Sequence, residues 1–360
     1  MRDFRVGIIG ATGMVGQRFA TLLENHPWFH VTALAASARS AGKTYEEAIG
    51  SRWALTVPMP ESMKKMPVYD AEADLDKMKE LVDFVFCAVN LPKAEVKALE
   101  EMYAKAEIPV MSNNSANRGV PDVPMIVPEL NPEHADVIPA QRKRLGTKRG
   151  FIAVKYNCSL QCYVPLLSPL RELYGLNKVL VCTYQAISGA GKTFERWPEM
   201  VDNLIPYIGG EEEKSEQEPM KLWGKVVDGA IVNAERPLIT AQCLRVPVTD
   251  GHTAAVFASF DRKPDIEEIK KIWDSYTSIA QEAQLPSAPK KFIHYFEEND
   301  QPQIKTARDL EGGMAISAGR LRPDTQYDIK FIGMAHNTLR GAAGGAVEMA
   351  ELMAVKGYLD

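Results

Sequence analysis

The feature that most constrains this chain is its opening. Arg5 to Ile9 is a short apolar run, Gly10-Ala-Thr-Gly13-Met-Val-Gly16 follows at once, and Val15, Phe19, Leu22 and Leu23 then recur at helical spacing to about Asn25. A strand that turns on glycines straight into a helix presents free backbone N–H groups and the positive end of a helix, which suits a pyrophosphate. The spacing is GxxGxxG rather than GxGxxG, and the strand–turn–helix setting is what gives the motif weight. The bland alternative is a tight βα turn with no ligand. Gly10, Thr12, Gly13, Met14, Val15 and Gly16 are the candidate cofactor contacts.

The pattern then alternates. Phe29 to Ala35 and the continuous apolar run Phe84 to Val89 predict strands, Lys93 to Ala106 a helix, and Ile108 to Met111 a further strand. This predicts an α/β, Rossmann-type domain with a parallel sheet and right-handed crossovers. After about residue 150 the runs Lys178 to Ala186, Leu238 to Val248 and Ala254 to Phe260 read as longer strands, and Tyr327, Ile329 and Phe331 alternate. One helix is expected over Ile266 to Glu282. Another is expected from Asn337 to about Lys356, beginning in a turn rich in glycine (Gly341, Gly344, Gly345). The expected organisation is a dinucleotide-binding domain over 1–155, an α+β domain over 156–335, and a C-terminal helix over 336–360 that returns to the first domain. The basic segment Gln141 to Arg149 reads as a solvated loop before the junction.

Length and composition narrow the function. A chain of 360 residues is long enough for two cores. A net charge of -5 argues against a nucleic-acid partner. No apolar run approaches the roughly 20 residues of a membrane helix, and the first residues lack a signal-peptide pattern. Five cysteines at irregular spacing do not read as a disulfide framework, so a reducing, cytoplasmic setting is expected. Cys158 and Cys162 lie four apart with no CxxC pair or histidine cluster, and no metal site is expected.

Cofactor choice is read at the end of the second strand. An NAD site places Asp or Glu about 20 residues beyond the glycines. Here the segment is Ser37-Ala-Arg39-Ser40, with Glu46 and Glu47 only further on. Two hydroxyls and an arginine suit a 2′-phosphate, so NADP is expected.

Tyr156-Asn157-Cys158-Ser-Leu-Gln161 precedes the apolar stretch Tyr163 to Leu170. A cysteine at a helix start feels the positive end of the dipole, which favours thiolate. A buried structural cysteine is the bland alternative. Further candidates come from three distant segments: Gln185 with Ser188 and Gly189 in a second glycine-rich turn, Glu211 with Lys214, and Arg245 with His252. Each is weak alone, since a lone histidine is more often structural and a Glu/Lys run is usually a solvated face.

Together these segments resemble the aspartate-β-semialdehyde dehydrogenase family in its archaeal and fungal-type branch. The likeness runs through GATGMVGQRF, SNNSANR, VPELNPEH, YNCS, QAISGAG, NLIPYIGGEEEK, RVPVTDGHT and HNTLRGAAGG, in the family's order. It implies conversion of β-aspartyl phosphate to aspartate semialdehyde and phosphate with NADPH, at the branch point to lysine, methionine and threonine. By position it implies Cys158 as nucleophile, His252 as acid/base, and Gln185 as the residue that orients the intermediate. It implies Arg245 on the substrate α-carboxylate, Glu211 on its α-ammonium, and Arg118 and Lys214 on the phosphate, with Asn157 beside the nucleophile. It implies Gly189 and Asn337 as cofactor contacts, and a homodimer or homotetramer in which the second domain supplies the dimer surface. The residue types agree with that chemistry: a guanidinium forks onto a carboxylate, a carboxylate pairs with an ammonium, and acyl transfer needs a thiolate.

Leu160 and Gln161, where the family has small residues, and Lys192-Thr-Phe194 are departures that bear on pocket shape. The runner-up reading is malonyl-CoA reductase on the same scaffold, against which Asn157 and the Glu211/Lys214 pair favour an amino-acid substrate. N-acetyl-γ-glutamyl-phosphate reductase is disfavoured because its Gly-Cys-Tyr motif is absent. A degenerate nucleotide sensor would not need Cys158, Gln185, Arg245 and His252, and a cysteine hydrolase would not need the glycine cradle.

Overall fold

A computed structural model describes residues 2–360. Six strands, β1 (Phe4–Ile9), β2 (Phe29–Ala36), β3 (Val68–Asp70), β4 (Phe84–Cys87), β5 (Val110–Ser112) and β6 (Ile152–Val154), form a parallel sheet in the order β3-β2-β1-β4-β5-β6. The order reverses between β1 and β4, and the Gly10 turn leaves β1 at that point. This is where open α/β sheets bind ligands, beyond the carboxyl ends of the strands. Helix α1 (Met14–Leu23) follows the turn and buries Phe19, whose ring stacks on Phe86 at 4.6 Å. Helix α2 (Lys93–Lys105) crosses from β4 to β5.

The segment expected as a solvated loop is largely a helix, α3 (Ile138–Leu145). Its Gln141 is fully buried, accepting from the Ile152 N–H at 2.6 Å and donating to the Ile152 carbonyl at 2.9 Å. Arg142 and Arg149 donate to the carbonyls of Tyr358 (3.0 Å) and Leu359 (2.6 Å). Two of the basic residues thus fasten the end of the chain instead of facing solvent.

Beyond the short 3₁₀ turn Cys158–Cys162, helix α4 (Val164–Tyr174) leads into β7 (Leu176–Gln185). Helix α5 (Glu211–Leu222), the hairpin β8 (Lys225–Val227) and β9 (Ala230–Val232), and the strands β10 (Leu238–Arg245) and β11 (His252–Phe260) follow. Helix α6 (Ile266–Asp274), β12 (Ile293–Phe296), β13 (Ile316–Pro323) and β14 (Ile329–Ala335) complete a mixed sheet in the order β10-β7-β11-β14-β13-β12. Residues alternate between buried and half-buried along β7 and β11. One face therefore packs under α4 and α6, where Trp273 meets Phe331 edge-on at 5.4 Å, and the other carries Leu180, Tyr184 and Phe257 half-exposed. The helix expected over Ile266 to Glu282 stops at Asp274. A new turn starts at Ile279, capped by the Ser278 hydroxyl accepting from the Ala280 N–H at 3.2 Å. Hydroxyl side chains compete for backbone groups and so favour caps over helix interiors, and Ser275-Tyr-Thr-Ser278 supplies three of them.

The last helix, α7 (Gly344–Val355), packs on the first sheet. Val347, Ala350, Leu352 and Met353 share a core with Phe4, Phe19, Phe29 and Phe86. The expected glycine-rich turn at its start is instead a π-helical turn, Leu339–Ala343, continuous with α7. Inside that turn Arg340 is fully buried; it forms ion pairs with Glu129 and Glu348 and donates to Gln161 Oε1 at 3.2 Å. Burial first, with Glu129 and Glu351 adding to it, pushes the Glu348 carboxyl up, and Arg340 opposes that rise. No helix among the described residues is long and apolar enough to cross a membrane.

Arg340→Met would leave Glu129 buried without its cation. Losing one partner of a buried pair costs about 3–5 kcal/mol. Urea unfolding of the variant should show a loss of that order; a loss below about 1 kcal/mol would mean that the π turn is held by packing alone.

Candidate active site

Three adjacent strand ends set the geometry. Arg245 closes β10 directly beside Gln185 at the end of β7, and His252 opens β11 on the other side of β7. Ala186, the next residue, fastens both neighbours: its N–H donates to His252 Nδ1 at 3.0 Å, and its carbonyl accepts from Arg245 Nη1 at 2.7 Å. The seven-residue interval from Arg245 to His252 thus spans the turn between two strands that flank a third. Because Nδ1 is an acceptor, the neutral imidazole carries its hydrogen on Nε2. Nε2 faces Cys158 Sγ at 3.5 Å. Burial first, then Arg245 and His336, push His252 down to about 3, so it is neutral at physiological pH.

Cys158 opens the 3₁₀ turn, and Asn157 caps that turn by accepting from the Ser159 N–H at 2.8 Å. The expectation that a helix dipole prepares a thiolate is not met. The turn is only five residues long, Tyr163 breaks it from α4, and burial pushes the Cys158 thiol up. Glu211 adds to that rise, while Lys155, Arg118 and Arg245 oppose it. The departures at Leu160 and Gln161 go into the interior: Leu160 is core, and Gln161 holds Arg340. Lys192 lies over the Trp197 ring at 4.2 Å.

Glu211 begins α5. Its carboxylate accepts from Asn157 Nδ2 (2.9 Å), Gln185 Nε2 (3.3 Å) and Lys214 Nζ (2.6 Å). Burial alone would raise this carboxyl; Lys214, Asn157 and Gln185 together outweigh it, so Glu211 is ionised. Arg118 donates from Nε to the Lys155 carbonyl at 2.8 Å and pairs with Glu218 at 2.9 Å. Glu218 also accepts from the Asn157 N–H at 2.7 Å. Cys158, His252, Arg245, Gln185, Asn157, Glu211 and Lys214 are therefore joined by direct contacts or a shared peptide, and Arg118 joins them through Glu218.

Sequence reasoning missed several members. Glu218 and Lys221 follow Glu211 and Lys214 at helical spacing, so one face of α5 carries all four, and that periodicity was the available signal. Lys221 donates to the carbonyls of Arg118, Val120 and Val123 at 2.6–2.8 Å; burial pushes it down to about 8. Ala186 acts only through its backbone, and Gly341 only through its lack of a side chain, so neither has a sequence signal.

The glycine turn divides its work. Gly10 has φ +84°, and a Cβ there would lie 2.5 Å from the Ala88 carbonyl oxygen. A Cβ at Gly16 would lie 2.2 Å from the Gly10 oxygen. At Gly13 an added Cβ meets only the Gly10 oxygen, at 3.4 Å, so the protein itself leaves room there. Among the described residues no side chain caps α1, and the N–H groups of Met14, Val15 and Gly16 make no backbone hydrogen bond, as an anion cradle requires. Thr12 turns its carbonyl back to Gln17 at 3.1 Å. Ser37 and Arg39 are exposed, Ser40 is buried, and Arg39 has no ion pair among the described residues. Glu47 is folded into a capping box with Thr44, and Glu46 pairs with Lys65. The residues present therefore fit a 2′-phosphate rather than a bare ribose. Ser188 accepts from Asn337 Nδ2 at 2.8 Å, and Asn337 Oδ1 accepts from the Gly251 N–H at 2.8 Å. Both ends of the Asn337 side chain thus tie the second glycine turn to the residue before His252. A Cβ at Gly189 would lie 2.9 Å from Arg245 Nη1 and 3.1 Å from the His252 ring, so glycine keeps the cleft open.

Residues 5–138 match a family model described as semialdehyde dehydrogenase, NAD binding domain, and residues 167–340 match semialdehyde dehydrogenase, dimerisation domain. The chain is 43% identical to an aspartate-semialdehyde dehydrogenase of Methanothermobacter thermautotrophicus, over 97% of this chain and 98% of the relative. It is 41% identical to that of Aspergillus fumigatus, over 99% and 98%. The crystal structure of aspartate semialdehyde dehydrogenase with NADP from Candida albicans superposes with a TM-score of 0.88 at 36% identity, over 99% of each chain.

Cys162 is fully buried, and its thiol donates to the His252 carbonyl at 3.1 Å. Cys162→Ser keeps a donor and should retain most turnover. Cys158→Ser should lose nearly all of it, because an alkoxide is far harder to form than a thiolate. Equal losses in steady-state assays would refute the assignment of the nucleophile.

Proposed function

Because the chain belongs to the aspartate-semialdehyde dehydrogenase family, we propose that its residues convert β-aspartyl phosphate to aspartate semialdehyde and phosphate through a thioacyl intermediate on Cys158, with NADP as cofactor. The observation that carries this reading is the 3.5 Å approach of Cys158 Sγ to His252 Nε2 in a cleft that also holds Arg245 and an ionised Glu211.

Each charge of an aspartyl substrate has a partner. Arg245 spends one N–H on Ala186 and has others to fork onto the α-carboxylate. Glu211 receives the α-ammonium. That ammonium would take the place of Lys214, whose side chain is 29% exposed, and leave Lys214 and Arg118 for the phosphate. Gln185, bonded to Glu211 and Thr183, holds the acyl group beside the sulfur.

His252 acts here as a hydrogen-bond donor. Its Nε2–H stabilises the sulfur anion and the oxyanion of the tetrahedral stage. An imidazolium would set an Nδ1–H against the Ala186 N–H, so the expected shuttling of a full proton is disfavoured. NADP, when bound, would supply the reducing equivalent. The Met14, Val15 and Gly16 amides would hold its pyrophosphate and Ser37, Arg39 and Ser40 its 2′-phosphate, with Ser188 and Gly189 toward the nicotinamide end.

The two sheets support the division at about residues 155 and 335. The half-exposed outer face of the second sheet, with Leu180, Tyr184 and Phe257, supports a homodimer or a homotetramer built on it.

Phosphate-dependent NADP reduction with aspartate semialdehyde tests the reading; absence of turnover overturns it. Arg39→Ala removes a charge-assisted contact worth about 1.5–3 kcal/mol and should raise KM for NADP roughly tenfold or more, with NAD little affected. Gly13→Ala should leave thermal stability nearly unchanged while weakening NADP binding. Equal effects of Arg39→Ala on both cofactors would remove it from the 2′-phosphate site.

A further inference from the structure

β10 lies at the edge of the second sheet, with β7 as its one strand neighbour. An edge strand presents a row of outward N–H groups that need partners. On β10 three successive outward groups have them. The Ala241 N–H donates to Glu216 Oε1 at 3.1 Å and the Cys243 N–H to Glu212 Oε1 at 3.2 Å. The Arg245 N–H donates to the Ile205 carbonyl at 2.8 Å, and the Arg245 carbonyl accepts from the Ile205 N–H at 3.0 Å. Glu212 Oε1 also accepts from Gln242 Nε2 at 2.7 Å. Two glutamates of α5 thus take the place that a further strand would fill.

The fit follows from two repeats. Residues four apart on a helix are separated by about 6 Å along its axis. Outward amides two apart on a strand are separated by about 6.6 Å. Glu212 and Glu216 therefore meet the Cys243 and Ala241 amides in step, with α5 antiparallel to β10. Ser215, on the inner side of the helix, is fully buried; its Oγ lies 3.6 Å from Cys243 Sγ, and its carbonyl accepts from the Tyr163 hydroxyl at 3.0 Å. The helix can neither slide along the strand nor roll on it without breaking one of these contacts.

Glu211 is the residue before Glu212, about 100° around the helix. Its carboxylate points to Asn157 and Gln185 instead of the strand edge. Arg245 is two residues beyond Cys243, on the strand that the glutamates grip. An α-amino acid carries its ammonium and its carboxylate on one carbon, so Glu211 and Arg245 can hold both only at a narrow range of separations. We propose that Glu212 and Glu216 are positioning residues for the substrate: by clipping α5 to the edge of β10 they fix the separation of Glu211 from Arg245. They act through Glu211, and the proposal rests on the reading in which Glu211 and Arg245 receive the two α-groups.

The test is steady-state kinetics of the double variant Glu212→Ala/Glu216→Ala with aspartate semialdehyde, phosphate and NADP. KM for aspartate semialdehyde should rise about tenfold or more, because a small displacement of a binding group is felt at the substrate. KM for NADP should stay within about twofold of the parent, and so should the rate of Cys158 alkylation by iodoacetamide, a reagent with neither α-group. Glu212→Gln/Glu216→Gln keeps an oxygen to accept from each amide and should restore most of the affinity. Three results overturn the proposal: a folded alanine variant whose KM for aspartate semialdehyde stays within about twofold of the parent, a loss that moves all three quantities together, or a glutamine variant as impaired as the alanine one. If the double alanine variant does not fold, Glu216→Ala alone, one turn away from Glu211, is judged by the same criteria. A parent without turnover overturns the proposed function itself, whereas an active parent beside an unaffected variant overturns only the clip.

Discussion

The site depends on two hydrogen bonds made by one residue, Ala186. Its N–H fixes the ring and tautomer of His252, and its carbonyl orients Arg245. Both partners lie on strands that flank β7, so the sheet register sets the two distances before any side chain is chosen. A peptide group held at the end of a central strand is less free than a side chain, and that is why a histidine and an arginine seven residues apart converge on one sulfur.

The second organiser is a helix face. Glu211, Lys214, Glu218 and Lys221 run down one side of α5, and each reaches a different part of the cleft: the polar pair Asn157 and Gln185, the open side, the Arg118 guanidinium, and the backbone that carries Arg118. The third is the glycine face of the π turn and α7, which lets the backbone close on Cys158. π-turns recur at functional sites because the extra residue moves a backbone segment without ending the helix. Arg340 inside that turn ties it to the buried Glu129.

Much of this was legible in the sequence, and the limits are physical. The glycine turn, the parallel sheet and the strand runs Lys178 to Ala186, Leu238 to Val248 and Ala254 to Phe260 follow from periodicity and turn chemistry, since those depend on local order along the chain; the strands themselves are Leu176–Gln185, Leu238–Arg245 and His252–Phe260. The acid-free segment at Arg39 gave the cofactor preference, and the carboxylates at Glu46 and Glu47 proved to be occupied locally. The reading failed where tertiary contacts decide. Gln141 looks solvent-facing until β6 arrives beside it, and Arg142 and Arg149 until the end of the chain does. The dipole argument at Cys158 assumed a long helix and an exposed start, and burial reversed it.

The central claim is that the Ala186 peptide holds His252 as a neutral imidazole with its hydrogen on Nε2. The direct measurement is 15N–1H NMR of the His252 ring across pH 5 to 8, in protein with the other histidines assigned. The account predicts a proton on Nε2, none on Nδ1, and no titration in that range. A midpoint near 6.5, or a proton on Nδ1, would contradict it.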